Sequence, residues 1–385
     1  MYPTLTDLLK DIFGIYIPLP VQTFGLFLGI SFALAAYTLY LELKRKEAEG
    51  LLHEIRLKEI QGRPATPGEL ALSALFGFIA GYKLVYIIFG YSEFVNDTQG
   101  VLLSTKGSMP GGLAGAILFA WMRYRDKEKQ RLAQPKETET VLKPHQLVGN
   151  FTMVAAFAGL IGAKIFHNLE NLHEFEEDPL QALLSFSGLT MYGGLICGAI
   201  AVIWYGKKHG IKPLHLCDAA APGLMLAYGT GRLGCQFAGD GDWGIINLNR
   251  KPDWLSWLPD WAWSYNYPNN VINEGIPIPG CEGRHCFMLP DAVYPTPLYE
   301  AVICIGLFFL LWSIRKKLHL AGMLFFKYLI LNGIERFFIE KIRVNTKYII
   351  GEYAITQAEI ISVALLITGI AGIIYIRRKP NAEPS

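Results

Sequence analysis

The chain is 385 residues long, 52% apolar and 18% charged, with a formal net charge of +2. That near-neutral balance lacks the basic excess that binds nucleic acid, and no metal constellation, nucleotide-cradling loop or Ser-His-Asp order stands out. The length suits two soluble domains or one membrane protein, and the apolar segment lengths decide for the membrane.

Residues 1–19 carry Leu5, Leu8, Leu9, Ile12 and Phe13 at near-helical spacing, which predicts a short interfacial helix ending at Pro18 and Pro20. No basic run followed by a small-residue cleavage site precedes the apolar segments, so a removable signal peptide is not expected. Apolar segments then fall at about 20–41, 70–90, 109–124, 147–166, 188–206, 216–234, 297–314, 321–340 and 356–376, or about nine helices. The third is short and rich in glycine. Basic clusters follow the odd-numbered segments: Lys44, Arg45 and Lys46; Arg123 to Arg131; Lys207 and Lys208; Arg315, Lys316 and Lys317; Arg377, Arg378 and Lys379. They belong on the cytoplasmic side, with residues 377–385 a cytosolic tail. The acidic loops, with Glu93 and Asp97, then Glu170, Glu174, Glu176, Glu177 and Asp178, face outward, as does the N-terminus.

The expected fold is therefore an all-α polytopic integral membrane protein with a Trp-rich extracytoplasmic head inserted at 235–296. That loop exceeds what a connection needs and holds Trp243, Trp254, Trp257, Trp261 and Trp263, residues that favour the headgroup layer. Cys197, Cys217 and Cys304 sit in apolar segments and read as small core residues. Cys281 and Cys286 lie in the head. A disulfide there requires an oxidising compartment, and spacing alone does not establish it.

An internal repeat runs through the first half. Ala80-Gly81-Tyr82-Lys83 through Met109-Pro110-Gly111-Gly112-Leu113 parallels Gly162-Ala163-Lys164 through Met191-Tyr192-Gly193-Gly194-Leu195. Both copies enter the membrane from the same side, unlike the inverted repeats of many transporters. Residues 42–146 thus hold cytosolic linkers and the first copy of the duplicated hairpin.

The stretch from Tyr228 to Gly244 carries the strongest functional signal. Arg232 ends an apolar segment and is followed by glycines, Asp240, Asp242 and Trp243. A cation so placed costs free energy unless it faces a polar cavity or an anion, although it can also snorkel to the interface. Its guanidinium matches a phosphate bidentately, and neighbouring glycines admit a headgroup close to the backbone.

With these residues together, the chain resembles the prolipoprotein diacylglyceryl transferases over about 20–41 and 147–376. The family pattern Gly-Arg-x-Gly-Asn-Phe-x-Asn-x-Glu, followed by Trp-Gly, is matched by Gly231-Arg232-Leu233-Gly234 and by Trp243-Gly244. Between them this chain is one residue longer. Aligned from the Trp-Gly end, the family Asn falls on Gln236 and its Glu on Gly241, between Asp240 and Asp242. The family His-Gly-Gly-Leu appears as Tyr192-Gly193-Gly194-Leu195. Its His-Pro-x-Gln-Leu-Tyr-Glu appears as the run from Tyr294 to Glu300, and its Arg-x-x-x-Glu as Arg336 and Glu340. The first-helix Tyr-Gly is Phe24-Gly25, and a membrane Arg corresponds to Lys164. Both family histidines are tyrosines here, which marks a divergent branch.

The resemblance implies a catalytic core at 147–376 in a bacterial cytoplasmic (inner) membrane. That core would move the diacylglyceryl group of phosphatidylglycerol to the lipobox cysteine of a prolipoprotein signal peptide and release glycerol 1-phosphate, with no cofactor. Arg232 and Arg336 would stabilise charge on the departing phosphate. Tyr192 and Tyr294 are poor bases with an ordinary pKa of about 10, so they would bind and orient, leaving Asp240, Asp242, Glu340 or the positive field to favour the thiolate. Gln236, Gly193, Gly194, Phe24, Lys164, Trp243 and Gly244 would complete the substrate site. A lipid or solute transporter, or a non-catalytic lipid binder, is the alternative, distinguished by whether phosphatidylglycerol is consumed.

Overall fold

Thr4 opens the first helix: its hydroxyl accepts from the Asp7 amide while the Asp7 carboxylate accepts from the Thr4 amide, and Gly14 ends the helix in the left-handed region. This α1 (Leu5–Phe13) is followed by α2 (Thr23–Ala48), β1 (Ile55–Gln61), α3 (Pro67–Phe89), α4 (Tyr91–Asn96), α5 (Thr98–Leu103), α6 (Met109–Lys129) and β2 (Lys136–Leu142). Next come α7 (Val148–Glu170), α8 (Met191–Lys208), α9 (Pro213–Ala238), β3 (Ile276–Pro277), β4 (Phe287–Met288) and α10 (Thr296–Ile314). The chain closes with α11 (Met323–Glu340), β5 (Lys347–Ile350), β6 (Tyr353–Thr356) and α12 (Gln357–Arg378). The structure, a computed structural model, describes residues 1–19, 21–96, 98–132, 136–173, 190–345, 347–350 and 353–378.

Among the described residues, five helical stretches are long and apolar enough to cross a membrane: Thr23–Ala48, Pro67–Phe89, Pro144–Glu170, Thr296–Lys317 and Gln357–Arg378. The other expected spans coincide with the helices α6, α8, α9 and α11. The chain is mostly helical, as expected, and carries short ribbons besides. Among the described residues there are three two-stranded antiparallel ribbons, and β1 pairs with β2 through seven residues across what reads as linker sequence. β1 starts with apolar residues at every second place, Ile55 and Leu57, and in β2 Thr138, Thr140 and Leu142 are half-buried while Glu137, Glu139 and Val141 are exposed, a period of two that suits a ribbon. Glu174, Glu176, Glu177, Asp178, Asp97 and Lys379 lie outside the described residues.

The chain forms two compact units. One comprises Ile17–Pro20 and Glu54–Leu142, and the other Met1–Tyr16, Val21–His53 and Lys143–Ser385. In the smaller unit, α3 and α6 pack as a hairpin. Lys83 turns its ammonium onto the connecting backbone, donating to the carbonyls of Val101 at 2.8 Å, Lys106 at 2.9 Å and Ser104. In the larger unit, α7 and α8 form the second hairpin of the repeat. A Cβ on Gly193 would stand 2.6 Å from the Gly162 carbonyl oxygen, so these glycines set how closely the two helices approach.

The larger unit centres on α9, which packs between α2 and α10. Ser31 and Thr230 share a hydroxyl hydrogen bond at 2.8 Å across the α2–α9 contact. Met225, Cys304, Phe308, Leu311 and Leu324 fill the space between α9, α10 and α11. At the end carrying the basic clusters, Glu42 of α2 accepts from Arg315 at 2.6 Å and from Arg45, while Asp218 accepts from the amides of Gly322 and Phe325 at the start of α11. At the other end, residues 239–295 form the head. Its core is Trp243, Tyr267, Leu289 and Val293, and Cys281 and Cys286 are bridged. The head starts at Gly239 because α9 runs through Ala238. The N-terminal segment joins it, with the Met1 nitrogen donating to the Pro268 carbonyl and the Tyr2 amide to that of Phe237, both at 2.8 Å.

Candidate active site

Helix α9 stops at Gly239, whose φ of 66° turns the chain back on itself. The reversal brings Asp242 onto the Arg232 guanidinium one and a half turns before the helix end. Arg232 also points its Nε at Glu300 in the second turn of α10, at 2.7 Å. Glu300 is fully buried, and its second oxygen accepts from Arg343 at 3.0 Å. Arg343 lies just past α11, where its backbone bridges to Gly244, and its Nη2 donates to Asp242 at 2.5 Å. Two arginines and two carboxylates thus close a ring, Arg232–Glu300–Arg343–Asp242, in which every member meets two others.

Other groups extend the ring. Tyr228, one turn below Arg232, donates its hydroxyl to Glu300 at 2.7 Å and lies under the Arg232 guanidinium. Arg336 stands 3.6 Å from Glu300 and pairs with Glu340 at 3.2 Å, four residues on along α11. Glu340 accepts from Asn345 at 2.6 Å. The formal charges of three arginines and of Asp242, Glu300 and Glu340 balance. Glu335, beside Arg336 and 5% exposed, adds a further carboxyl group with no hydrogen-bond partner among the described residues. Removing one partner from such a buried pair typically costs about 3–5 kcal/mol, because the survivor keeps its desolvation penalty.

The network leaves donors unused. Arg336 Nη1, which faces Glu300 Oε2 at 3.6 Å, and Arg343 Nε are buried and make no hydrogen bond among the described residues. Unsatisfied buried guanidinium groups call for an acceptor, and a phosphate or carboxylate from a ligand supplies one. The two loop carboxylates differ. Burial pushes Asp240 up from its ordinary pKa, whereas for Asp242 the same burial is outweighed by Arg232 and Arg343, which hold it below the usual range. The Asp242 amide donates to Asp240 Oδ1 at 3.3 Å. Cys235 Sγ and the carboxylates of Asp240 and Asp242 lie within 4.8 Å of one another. Asp242 is already taken by two guanidinium groups, and Arg232 Nη1 is 3.8 Å from the sulfur, so the local charge disfavours a cation there.

The structure thus brings together Arg232, Arg336, Glu340 and Asp242, with Asp240 alongside. Several other expected substrate contacts are engaged in packing. Gln236 accepts from the buried Tyr267 hydroxyl at 2.7 Å, and Trp243 packs on Tyr267 with 5.1 Å between ring centroids. Gly244 donates its amide to the Tyr294 carbonyl at 2.9 Å, and the Tyr294 hydroxyl accepts from Asn249 at 2.7 Å. Phe24 exposes its ring on the first turn of α2, while its backbone backs onto Gly234. Tyr192, Gly193, Gly194 and Lys164 belong to the α7–α8 hairpin. The network itself is built from α9, α10, α11 and the segments that follow them.

Glu300, Arg343 and Tyr228 are the members that sequence reasoning did not single out as site residues. Glu300 closes the Tyr294-to-Glu300 motif, so motif position was an available signal for it, whereas Arg343 lies beyond the end of α11 and had none.

Comparison with known proteins agrees with this arrangement. Residues 130–375 match the family described as prolipoprotein diacylglyceryl transferase. The chain is 28% identical over 272 residues to the phosphatidylglycerol–prolipoprotein diacylglyceryl transferases of Bacillus cereus (strain Q1) and Bacillus anthracis (strain CDC 684 / NRRL 3495), covering 70% of this chain and 87% of each relative. The counterpart of Bacillus thuringiensis subsp. konkukian (strain 97-27) matches to the same extent. These are multi-pass membrane enzymes at family level, in keeping with the long apolar helices seen here. The family match spans more than half of the chain and takes in every arginine and carboxylate of the buried network, and on that ground the chain belongs to the prolipoprotein diacylglyceryl transferase family.

Proposed function

We propose that this chain transfers the diacylglyceryl group of phosphatidylglycerol to the thiol of a lipobox cysteine, releasing glycerol 1-phosphate. The observation that carries the reading is the Arg232–Glu300–Arg343–Asp242 ring, with buried N–H groups on Arg336 and Arg343 that make no hydrogen bond among the described residues. Such donors are fixed before the substrate arrives, which is what electrostatic stabilisation of a departing oxyanion requires.

In this mechanism the lipid phosphate competes with Asp242 for the guanidinium groups. Asp242 is the member to yield, since its side chain is 36% exposed and that of Glu300 is fully buried. The thiolate sulfur attacks the glyceryl carbon, a carbon–sulfur bond forms, the carbon–oxygen bond breaks, and its electron pair goes to the phosphate oxygen facing Arg232 and Arg336. The thiol proton passes to Asp240, which burial makes a better acceptor than Asp242. Tyr192 and Tyr294 bind and orient. Phe24, Lys164, Gly193 and Gly194 line the approach of lipid and peptide, while Gln236, Trp243 and Gly244 hold the head over the site.

The same reading takes α6, α8, α9 and α11 with the five apolar helical stretches as nine spans of a bacterial cytoplasmic membrane, basic ends inward and N-terminus outside. Purified protein with phosphatidylglycerol and a lipobox peptide should release glycerol phosphate. A Cys→Ser peptide and Arg232→Ala should each abolish release. Absence of release from folded, lipid-binding protein would replace the transferase with a binding or transport role.

A further inference from the structure

The head contains a short tandem repeat that the proposed chemistry does not use. Pro252-Asp253-Trp254 and Pro259-Asp260-Trp261 lie seven residues apart, and each opens a single 3-10 turn with its proline as the N-cap. The two turns are held rigidly. Lys251 Nζ donates to the Leu258 carbonyl at 2.7 Å and to Asp260 at 2.5 Å, and Trp263 Nε1 donates to the Asn249 carbonyl at 3.0 Å. Ala262 is buried beneath them.

On this fixed base the large apolar side chains point outward. Trp254 is 75% exposed, Trp257 74%, Trp261 49% and Leu248 90%. A soluble surface does not gather three tryptophans and a leucine in this way without a partner. The height of the patch identifies that partner. The Tyr299 hydroxyl, in the first turn of the apolar helix α10, donates to the Trp263 carbonyl at 3.3 Å. The Trp-bearing turns therefore sit level with the end of a membrane-crossing helix, where indole rings take their apolar body into the acyl boundary and their N–H to lipid ester and phosphate oxygens.

We propose that Trp254, Trp257, Trp261 and Leu248 form a membrane-docking face that seats the head in the phospholipid headgroup layer beside the Arg232 site. The face anchors the head to lipid and holds the Arg232 site at the depth where phospholipid phosphates lie. The inference concerns lipid contact alone and stands whether or not the site proves to be a transferase.

The test uses full-length protein in nanodiscs of phosphatidylglycerol and phosphatidylcholine, with and without phospholipid brominated high on its acyl chains. The variant replaces Trp254, Trp257 and Trp261 by Phe, and the difference in tryptophan emission between wild type and variant isolates those three rings. Brominated lipid should quench that difference emission about twofold while aqueous iodide leaves it nearly unchanged. Quenching by iodide and not by brominated lipid would overturn the proposal. So would shielding from iodide that appears only when a lipobox peptide is added, which would make the face a peptide site. Thermal unfolding of the variant reports whether the head still folds, and Trp257→Phe alone provides the same difference measurement if the triple variant does not.

Discussion

Glu300→Gln is the sharpest perturbation of the buried ring. Its carboxylate meets Arg232 at 2.7 Å, Arg343 at 3.0 Å and Arg336 at 3.6 Å, and has no exposed surface. At an effective dielectric of about 20, each such pair about 4 Å apart contributes on the order of 4 kcal/mol, against a desolvation cost of several kcal/mol per buried ion. The net loss on removing the charge is about 3–5 kcal/mol, since three guanidinium groups stay buried with less compensation. The amide also turns an N–H₂ toward a guanidinium where an acceptor stood. Unfolding followed in mixed detergent–dodecyl sulfate micelles should register this loss, and Arg343→Met should cost a similar amount. Combining the two removes a charge of each sign, so the double variant should be more stable than the sum of the single losses by about 1.5–3 kcal/mol. Strict additivity, or a Glu300→Gln protein as stable as the parent, would refute the ring as an energetic unit.

Three further outcomes follow from the same geometry. Arg336→Lys keeps a positive charge but loses the planar fork with its spare Nη1 donor, so kcat should fall about 10²–10³-fold in the glycerol-phosphate release assay, with a smaller change in KM. Asp240 must be ionised to take the thiol proton, and burial raises its pKa, so activity should climb as pH rises through that raised value, and Asp240→Asn should flatten this limb of the pH–rate profile. Gly193→Leu would drive a side chain into the Gly162 carbonyl and Phe166, costing about 1–3 kcal/mol and separating α7 from α8, as cross-linking between cysteines on the two helices would report.

The long apolar helices, the repeated hairpin and the placing of Arg232, Arg336 and Asp242 in one polar cluster were legible because each rests on a local signal: segment length, periodicity, or a charge where apolar residues should be. Arg343 was not. It follows the last turn of α11 among ordinary surface residues and enters the site only through its backbone bridge to Gly244, about a hundred residues away in sequence. Glu300 was visible as the end of the Tyr294-to-Glu300 motif, but nothing nearby in sequence announces the three arginines that converge on it. The β1–β2 ribbon shows the same limit, because its strands are short, β2 is mostly charged residues and threonine, and the two pair across the whole α3–α6 hairpin. Gln236 and Trp243 fit the motif as substrate contacts. Their burial against Tyr267 is a property of the folded head, which no spacing within the motif encodes.

Helix α10 has a mechanical consequence. One end is fixed by Glu300 in the ring and by the Thr296 hydroxyl donating to the Asp242 carbonyl at 2.9 Å; the other is fixed by Arg315 on Glu42 of α2. Nineteen residues at about 1.5 Å each give a rod of roughly 28 Å, close to the ~30 Å hydrocarbon thickness of a bilayer. A rod clamped by charge at both ends cannot relieve hydrophobic mismatch by leaning. In a thicker or thinner membrane the surrounding lipid must stretch or compress around it, and the depth of the arginines stays fixed relative to the protein while the phosphate plane moves past them.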